Sequence, residues 1–228
     1  MGKSLTTKNF GEIKAVAYDI DGTLYETWKL NIRLPLHFLT HLYFFSKYNK
    51  ARKDLRKMGI TSDFKKEQIK YMAGALSCSE EQAHSKLEKI VYSGLKSHFV
   101  KIKPCKNALE SVKAFKNAGL KIALLSDFPP EQKGELWGIK PYCDVILGSE
   151  DCGALKPSSV PFKKMAEALG VNPEEILYVG NSYKYDVLGS KNAGMKAAWF
   201  TKKKKDKTGK ADLVFREYSS LMHAVLEQ

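Results

Sequence analysis

The chain has 228 residues, enough to bury a sizeable core and to carry one domain with a smaller one appended. Its 43% hydrophobic and 28% charged residues suit a soluble globular protein rather than a disordered one, and no apolar run approaches bilayer-spanning length. The net charge of +13 admits a nucleic-acid partner but equally suits a site that attracts phosphorylated anions.

Met1 to Phe10 lacks the apolar core of a signal peptide. Met1-Gly2-Lys3-Ser4-Leu5-Thr6 matches a myristoylation pattern that is short and common by chance. Val16-Ala17-Tyr18 predicts a buried strand, which ends at Asp19-Ile20-Asp21-Gly22-Thr23-Leu24. Gly22 permits a tight turn there, and Ile20 can point away while the two carboxylates converge. Such a pair suits covalent phosphoryl transfer, with one carboxylate attacking and the other handling the leaving-group proton. The hexapeptide alone serves an ordinary Asp-Gly turn equally well.

A stretch with few strand signals follows. Leu36, Phe38, Leu39, Leu42, Tyr43 and Phe45 give a crowded apolar helical pattern; Leu34 to Phe45 is too short to span a membrane and is interrupted by Pro35, His37 and His41. Ser62-Asp63 caps a predicted helix from Phe64 to Leu76, and Ser79 opens another with Ala83, Leu87, Ile90 and Val91 at helical spacing. Beyond it, alternating elements return. Asn107 and Glu110 predict a capped helix ending at Gly119, then come a strand from Lys121 to Ser126 and a short one from Cys143 to Leu147. Ser159 precedes a helix from Val160 to Leu169 with Pro161 in its first turn. A strand from Ile176 to Val179, a helix from Tyr183 to Ala193 and a strand from Lys196 to Phe200 complete the pattern. Continuous apolar strands alternating with helices imply an α/β fold with a doubly wound, mostly parallel sheet, whose ligands bind beyond the carboxyl ends of the strands. The run Lys202-Lys203-Lys204-Lys205, with Asp206, Lys207 and Lys210, is expected to be a solvated loop. Cys78, Cys105, Cys143 and Cys152 show no paired spacing, which points to reduced thiols and a cytoplasmic location.

Four features fall at strand ends in sequence order. They are the aspartate pair, Ser126 after Ile122-Ala123-Leu124-Leu125, Lys156 in Gly153-Ala154-Leu155-Lys156-Pro157, and Gly180-Asn181-Ser182 with Asp186. In this order they resemble the motifs of the haloacid dehalogenase-like hydrolases, most specifically in the first motif and from Leu155 to Gly194. The resemblance implies a Rossmann-like core from residues 1–27 and 104–228, with a helical cap inserted at 28–103 as in one phosphatase subgroup. It also implies Asp19 as a nucleophile forming an aspartyl-phosphate and Asp21 as general acid and base, its pKa raised by neighbouring anions. Ser126 would hold a phosphoryl oxygen and Lys156 would neutralise charge. Mg²⁺ would be held by Asp19, the Asp21 carbonyl, Asn181 and Asp186.

The second aspartate, absent from true dehalogenases, favours hydrolysis of a small phosphorylated metabolite over dehalogenation. A phosphonate hydrolase would need a Schiff-base lysine in the cap, and a sugar phosphomutase shares the first motif. Asn181 departs from the family's usual aspartate, which removes one negative charge beside the metal and leaves a non-catalytic, basic nucleic-acid-binding relative as the alternative. Tyr25 and Trp28 stand either at the mouth of the site or in packing between core and cap.

Overall fold

The sheet is built from strands too apolar to leave either face in water. In the computed structural model, which describes residues 5–7, 10–99, 101–202 and 209–227, a short antiparallel pair comes first, Leu5–Thr7 (β1) with Gly11–Ile13 (β2). Met1 to Ser4 of the myristoylation pattern, and Lys203 to Lys205, Asp206 and Lys207 of the lysine run, lie outside the described residues. The main sheet holds Ala15–Tyr18 (β3), Lys121–Ser126 (β4), Val145–Gly148 (β5), Ile176–Gly180 (β6), Lys196–Phe200 (β7) and Leu213–Phe215 (β8). Its order is β5-β4-β3-β6-β7-β8, and every pairing is parallel.

Side chains alternate across a strand, so each central strand feeds two cores. Val16, Tyr18, Ile122, Leu124, Leu177 and Val179 face one cluster, shared with the helices Ala108–Asn117 (through Val112 and Phe115) and Tyr218–Leu226 (through Leu221 and Val225). Ala15, Ala17, Ala123, Leu125, Ile176 and Tyr178 face the other, filled by Phe162, Met165 and Leu169 of the helix Ser159–Leu169. The chain steps outward from β3 through β4 to β5, then returns to lay β6 on the other side of β3. That reversal opens a crevice at the carboxyl ends of β3 and β6.

Between β3 and the helix Ala108–Asn117 the chain is helical: α1 (Thr27–Asn31), α2 (Pro35–Thr40), α3 (Leu42–Met58), α4 (Phe64–Leu76), α5 (Glu80–Leu87), a π-turn at Glu88–Tyr92, and α6 (Ser93–Phe99). We number the later helices α7 (Ala108–Asn117), α8 (Ser159–Leu169), α9 (Leu188–Asn192) and α10 (Tyr218–Leu226). Asp63 accepts from Lys66 N and Ser79 forms a reciprocal box with Gln82, so both helix starts follow the sequence signals. Four expectations change. The short strand expected from Cys143 to Leu147 runs instead from Val145 to Gly148. Asn107 adopts a left-handed conformation (φ 61°) and makes no side-chain cap. The helix expected from Tyr183 begins instead as a π-turn, Tyr183–Val187, before α9, and the cap of α8 is Ser158 rather than Ser159. The β1–β2 pair, β8 and α10 carry no signal strong enough to read from the sequence, being short strands and a helix after a polar loop. Among the described residues, no helix is long and apolar enough to cross a membrane.

Phe162 is fully buried and packs edge-to-face on Tyr178, ring centroids 4.9 Å apart. Phe162→Ala is expected to cost about 3–5 kcal/mol in urea unfolding, the cavity adding to the lost transfer energy.

Candidate active site

The crevice between β3 and β6 is organised by one buried lysine. Lys156 Nζ donates to Asp19 Oδ1 (2.6 Å) and Asp186 Oδ1 (2.7 Å), with Tyr178 Oη at 3.3 Å and the Leu125 carbonyl at 3.5 Å. Burial disfavours its charge, but Asp186 and Asp19 outweigh that and hold its pKa well above the ordinary lysine value. The loop carrying it is pinned because Lys156 N donates to Asp127 Oδ1 (3.0 Å). Asp186 is seated by Ser182 N, which donates to its Oδ2 (2.8 Å). It also lies so close to the end of β6 that a Cβ on Gly180 would collide with it.

Asp19 follows β3, and its backbone N–H donates to Val179 O (2.9 Å), fastening the strand ends together. The Thr23 hydroxyl donates to Asp19 Oδ2 (2.7 Å) and lies 3.3 Å from Asn181 Oδ1. Gly22 makes the turn at φ 93°, with the Asn181 amide packed against its α-carbon. Burial and the nearby Asp186 and Asp21 raise the Asp19 carboxyl to about 7, against the pull of Lys156.

Asp21 occupies a different environment. Its Oδ1 accepts from Tyr25 Oη (2.8 Å), its Oδ2 accepts from Ser126 Oγ (2.8 Å), and Lys133 Nζ stands 3.2 Å from Oδ2 as an ion pair. The sequence leads one to expect an elevated pKa here, raised by anions. The structure gives the opposite: burial pushes it up, but Lys133 and the hydroxyls of Tyr25 and Ser126 outweigh burial and lower it.

The six residues singled out in the sequence, Asp19, Asp21, Ser126, Lys156, Asn181 and Asp186, thus meet at one place. Tyr25 is buried in packing between core and insert rather than standing at the mouth of the site. Its ring packs against Phe99 and Trp137, while its hydroxyl reaches Asp21. Trp28 is exposed. Sequence reasoning missed Lys133, Asp127 and Thr23. Lys133 lies in a 3₁₀ turn, Pro130–Lys133, where a lysine ordinarily signals solvent; nothing local reveals that it is buried against Phe99 and Phe128.

Helix α3 ties the insert to this site. Buried Arg52 pairs with buried Glu150 and also donates to Asp127 O (2.7 Å) and Gln68 Oε1 (3.2 Å). Tyr92 Oη donates to Glu150 Oε2 (2.8 Å). Arg56 donates to Asp127 Oδ2 (2.7 Å) and to the Lys156 carbonyl (3.1 Å), its guanidinium over the Tyr185 ring.

The profile of the haloacid dehalogenase-like hydrolases matches residues 16–200. The chain belongs to that family. It is similar to pyrophosphatase PpaX of Halalkalibacterium halodurans, 33% identical over 196 residues that cover 82% of this chain and 83% of the relative. It is also similar to phosphoglycolate phosphatase of Aquifex aeolicus, 26% identical over 202 residues, covering 82% of this chain and 84% of that one. Among solved structures, a haloacid dehalogenase-family phosphatase from Thermococcus onnurineus superposes with a TM-score of 0.64 at 23% identity, over 94% of this chain and 98% of that one. The family's α/β fold is therefore shared from β3 to β7, and the conjunction of Asp19, Lys156 and Asp186 sits where its sheet reverses.

Removing one member of a buried ion pair leaves the other uncompensated. Arg52→Met is accordingly expected to cost about 3–5 kcal/mol in chemical denaturation, and adding Glu150→Gln to it is expected to restore part of that loss. Additive single effects would show that the pair is not coupled.

Proposed function

We propose that the protein is a Mg²⁺-dependent hydrolase of small phosphate monoesters that works through an aspartyl-phosphate on Asp19. The observation that carries this reading is the buried ammonium of Lys156 bridging Asp19 and Asp186, with Asp21 held separately by Ser126, Tyr25 and Lys133. The names of the phosphatase relatives support it. In the proposed reaction Asp19 attacks phosphorus, the bond to the leaving oxygen breaks, and Asp21 gives that oxygen a proton. Asp21 then takes a proton from the water that attacks the acyl phosphate, so that inorganic phosphate leaves and Asp19 is regenerated. An entering phosphate adds negative charge beside Asp21 and raises its affinity for the proton it must carry. Ser126 Oγ, which already donates to Asp21, turns to a phosphoryl oxygen, and Lys156 stabilises the charge that develops on the transferring group.

The residues at the reversal of the sheet fit a hard cation. Asp19 Oδ2 and Asn181 Oδ1 converge on the Thr23 hydroxyl, and all available donors are oxygens, as Mg²⁺ prefers. Among the described residues no group of three His, Cys, Asp or Glu side chains is arranged around a metal, so a neutral amide and a backbone carbonyl would complete the set. In this reading Asp19, the Asp21 carbonyl, Asn181 and Asp186 hold the ion, which when bound offsets the negative charge of phosphate and aspartates. Residues 28–103 act as a cap over a core made of 1–27 and 104–228. The four cysteines are unpaired, which supports a reducing, cytoplasmic setting.

Asp19→Asn is expected to lower Mg²⁺-dependent phosphate release by at least ~10³-fold while circular dichroism stays unchanged. Full turnover in that variant rules the mechanism out. Asn181→Asp adds a charge beside the cation and is expected to lower the Mg²⁺ dissociation constant several-fold, on the order of 1 kcal/mol. The check is the Mg²⁺ dependence of thermal stability without substrate; an unchanged midpoint places Asn181 outside the coordination shell.

A further inference from the structure

A cavity of about 240 Å³ lies between the helical insert and the sheet, and Asp21 forms part of its wall. The insert contributes Leu34, Phe38, Phe45, Leu95 and Phe99 to the lining, and Phe128 comes from beyond β4. Asp21 is the single charged residue among those lining it. Lys133 Nζ lies over the lining rings of Phe99 and Phe128 and stands 3.2 Å from Asp21 Oδ2, which balances its charge while that acid is ionised. The two arginines of α3 are likewise committed, Arg52 to Glu150 and Arg56 to Asp127.

Two buried polar atoms on the lining residues have no protein partner: Tyr48 Oη and Gln132 Oε1. Gln132 is oriented by its own amide, whose Nε2 donates to the carbonyls of Val91 and Tyr92 (both 3.0 Å), leaving Oε1 as a free acceptor. A buried polar atom without a partner is costly, and a ligand group that satisfies it regains that cost. The cavity therefore offers a largely apolar body of space with an unpartnered acceptor and an unpartnered hydroxyl, edged by the polar side chains of Thr27, Asn31 and Asn49.

Size and charge together select an occupant. An apolar cavity of about 150 Å³ holds a benzene ring, so this larger one accommodates a ring with a substituent. A carboxylate or a second phosphate placed here would be desolvated among aromatic rings with Lys133 as its counter-ion, an exchange that at best breaks even, whereas an apolar ring gains on burial. We propose that this cavity is the leaving-group pocket and that it selects phosphate monoesters of neutral, ring-sized apolar alcohols over pyrophosphate and over esters of small anionic alcohols. A hydroxyl on the far side of the ring would donate to Gln132 Oε1. The inference rests on the hydrolase reading above and adds the class of alcohol released.

The test compares kcat/KM with Mg²⁺ for methyl, isobutyl and benzyl phosphate, phosphoglycolate and inorganic pyrophosphate. These three alkyl esters release alcohols of similar reactivity, so differences among them report the pocket. The expected result is a rise of at least ~10-fold from methyl to benzyl phosphate, with benzyl phosphate ahead of both anionic substrates. Val91→Trp, or Leu95→Phe as the milder filler, is expected to shrink the benzyl-to-methyl ratio. Turnover of phosphoglycolate or pyrophosphate equal to or better than benzyl phosphate overturns this inference and leaves the hydrolase reading standing. If no ester is hydrolysed, that reading falls and calorimetry decides the pocket: saturable binding of benzyl alcohol, weakened by Val91→Trp, upholds it, and absence of binding overturns it.

Discussion

A lysine ammonium buried at the carboxyl ends of β3 and β6 is the constraint around which the rest is arranged. Lys156 is almost wholly shielded from water and survives as a cation because two carboxylates, Asp19 and Asp186, face it. Each acid must be delivered by a different strand, so the strands must end side by side, and the reversal of strand order does this. The remaining contacts follow from holding that triangle. Gly180 is bare so that Asp186 can approach, and Tyr178 completes the lysine's shell from within the sheet. Phe162 backs Tyr178, so the core beneath the site and the site itself are one packed unit.

The two aspartates of the first motif are two residues apart and live in opposite electrostatic surroundings. Asp19 is deeply buried and also crowded by Asp186 and Asp21, which raises its carboxyl to about 7 even beside Lys156. Asp21 is gripped by Lys133, Tyr25 and Ser126, which hold its pKa down. Environments that push a pair of acids apart are how one site assigns two roles. Here the resting order opposes the order the proposed reaction requires: the attacking group must be ionised and its neighbour protonated. A cation beside Asp19 and a phosphate beside Asp21 act in the directions that reverse it, which makes the resting arrangement a state awaiting both ligands.

Much of this was legible because motifs at strand ends are local. Asp19, Asp21 and Ser126 stand at or just past the ends of apolar runs, Lys156 and Asp186 lie in the segments that follow β5 and β6, and a parallel sheet gathers such positions at one edge. The strands Lys121–Ser126 and Lys196–Phe200 and the helix Phe64–Leu76 have the expected ends, since apolar runs and an Asp cap mark them. What could not be read depends on distant packing. Lys133 lies in a proline turn and is made internal only by aromatic rings from the insert and from Phe128; Asp127 is a strand-end acid whose partners, Lys156 and Arg56, come from far along the chain. The expected elevation of the Asp21 pKa failed for the same reason: it counted the anions of the motif and had no view of the lysine above them.

The junction between insert and sheet divides its labour. On one side, charge pairs from α3, Arg52 with Glu150 and Arg56 with Asp127, meet the loops that follow β5 and β4. Buried pairs of this kind contribute little net stability against an apolar alternative, because desolvation consumes most of their attraction. Their directional demand is what they add, since a guanidinium bonded to both a carboxylate and a carbonyl fixes how α3 lies. On the other side the contact is apolar and incomplete, leaving the cavity beside Asp21. Because the polar side sets the position of α3, the apolar side cannot simply close to fill the gap: doing so would break bonds between buried charges. The open volume is therefore a consequence of where the arginines are anchored, and its shape is held independently of whatever fills it.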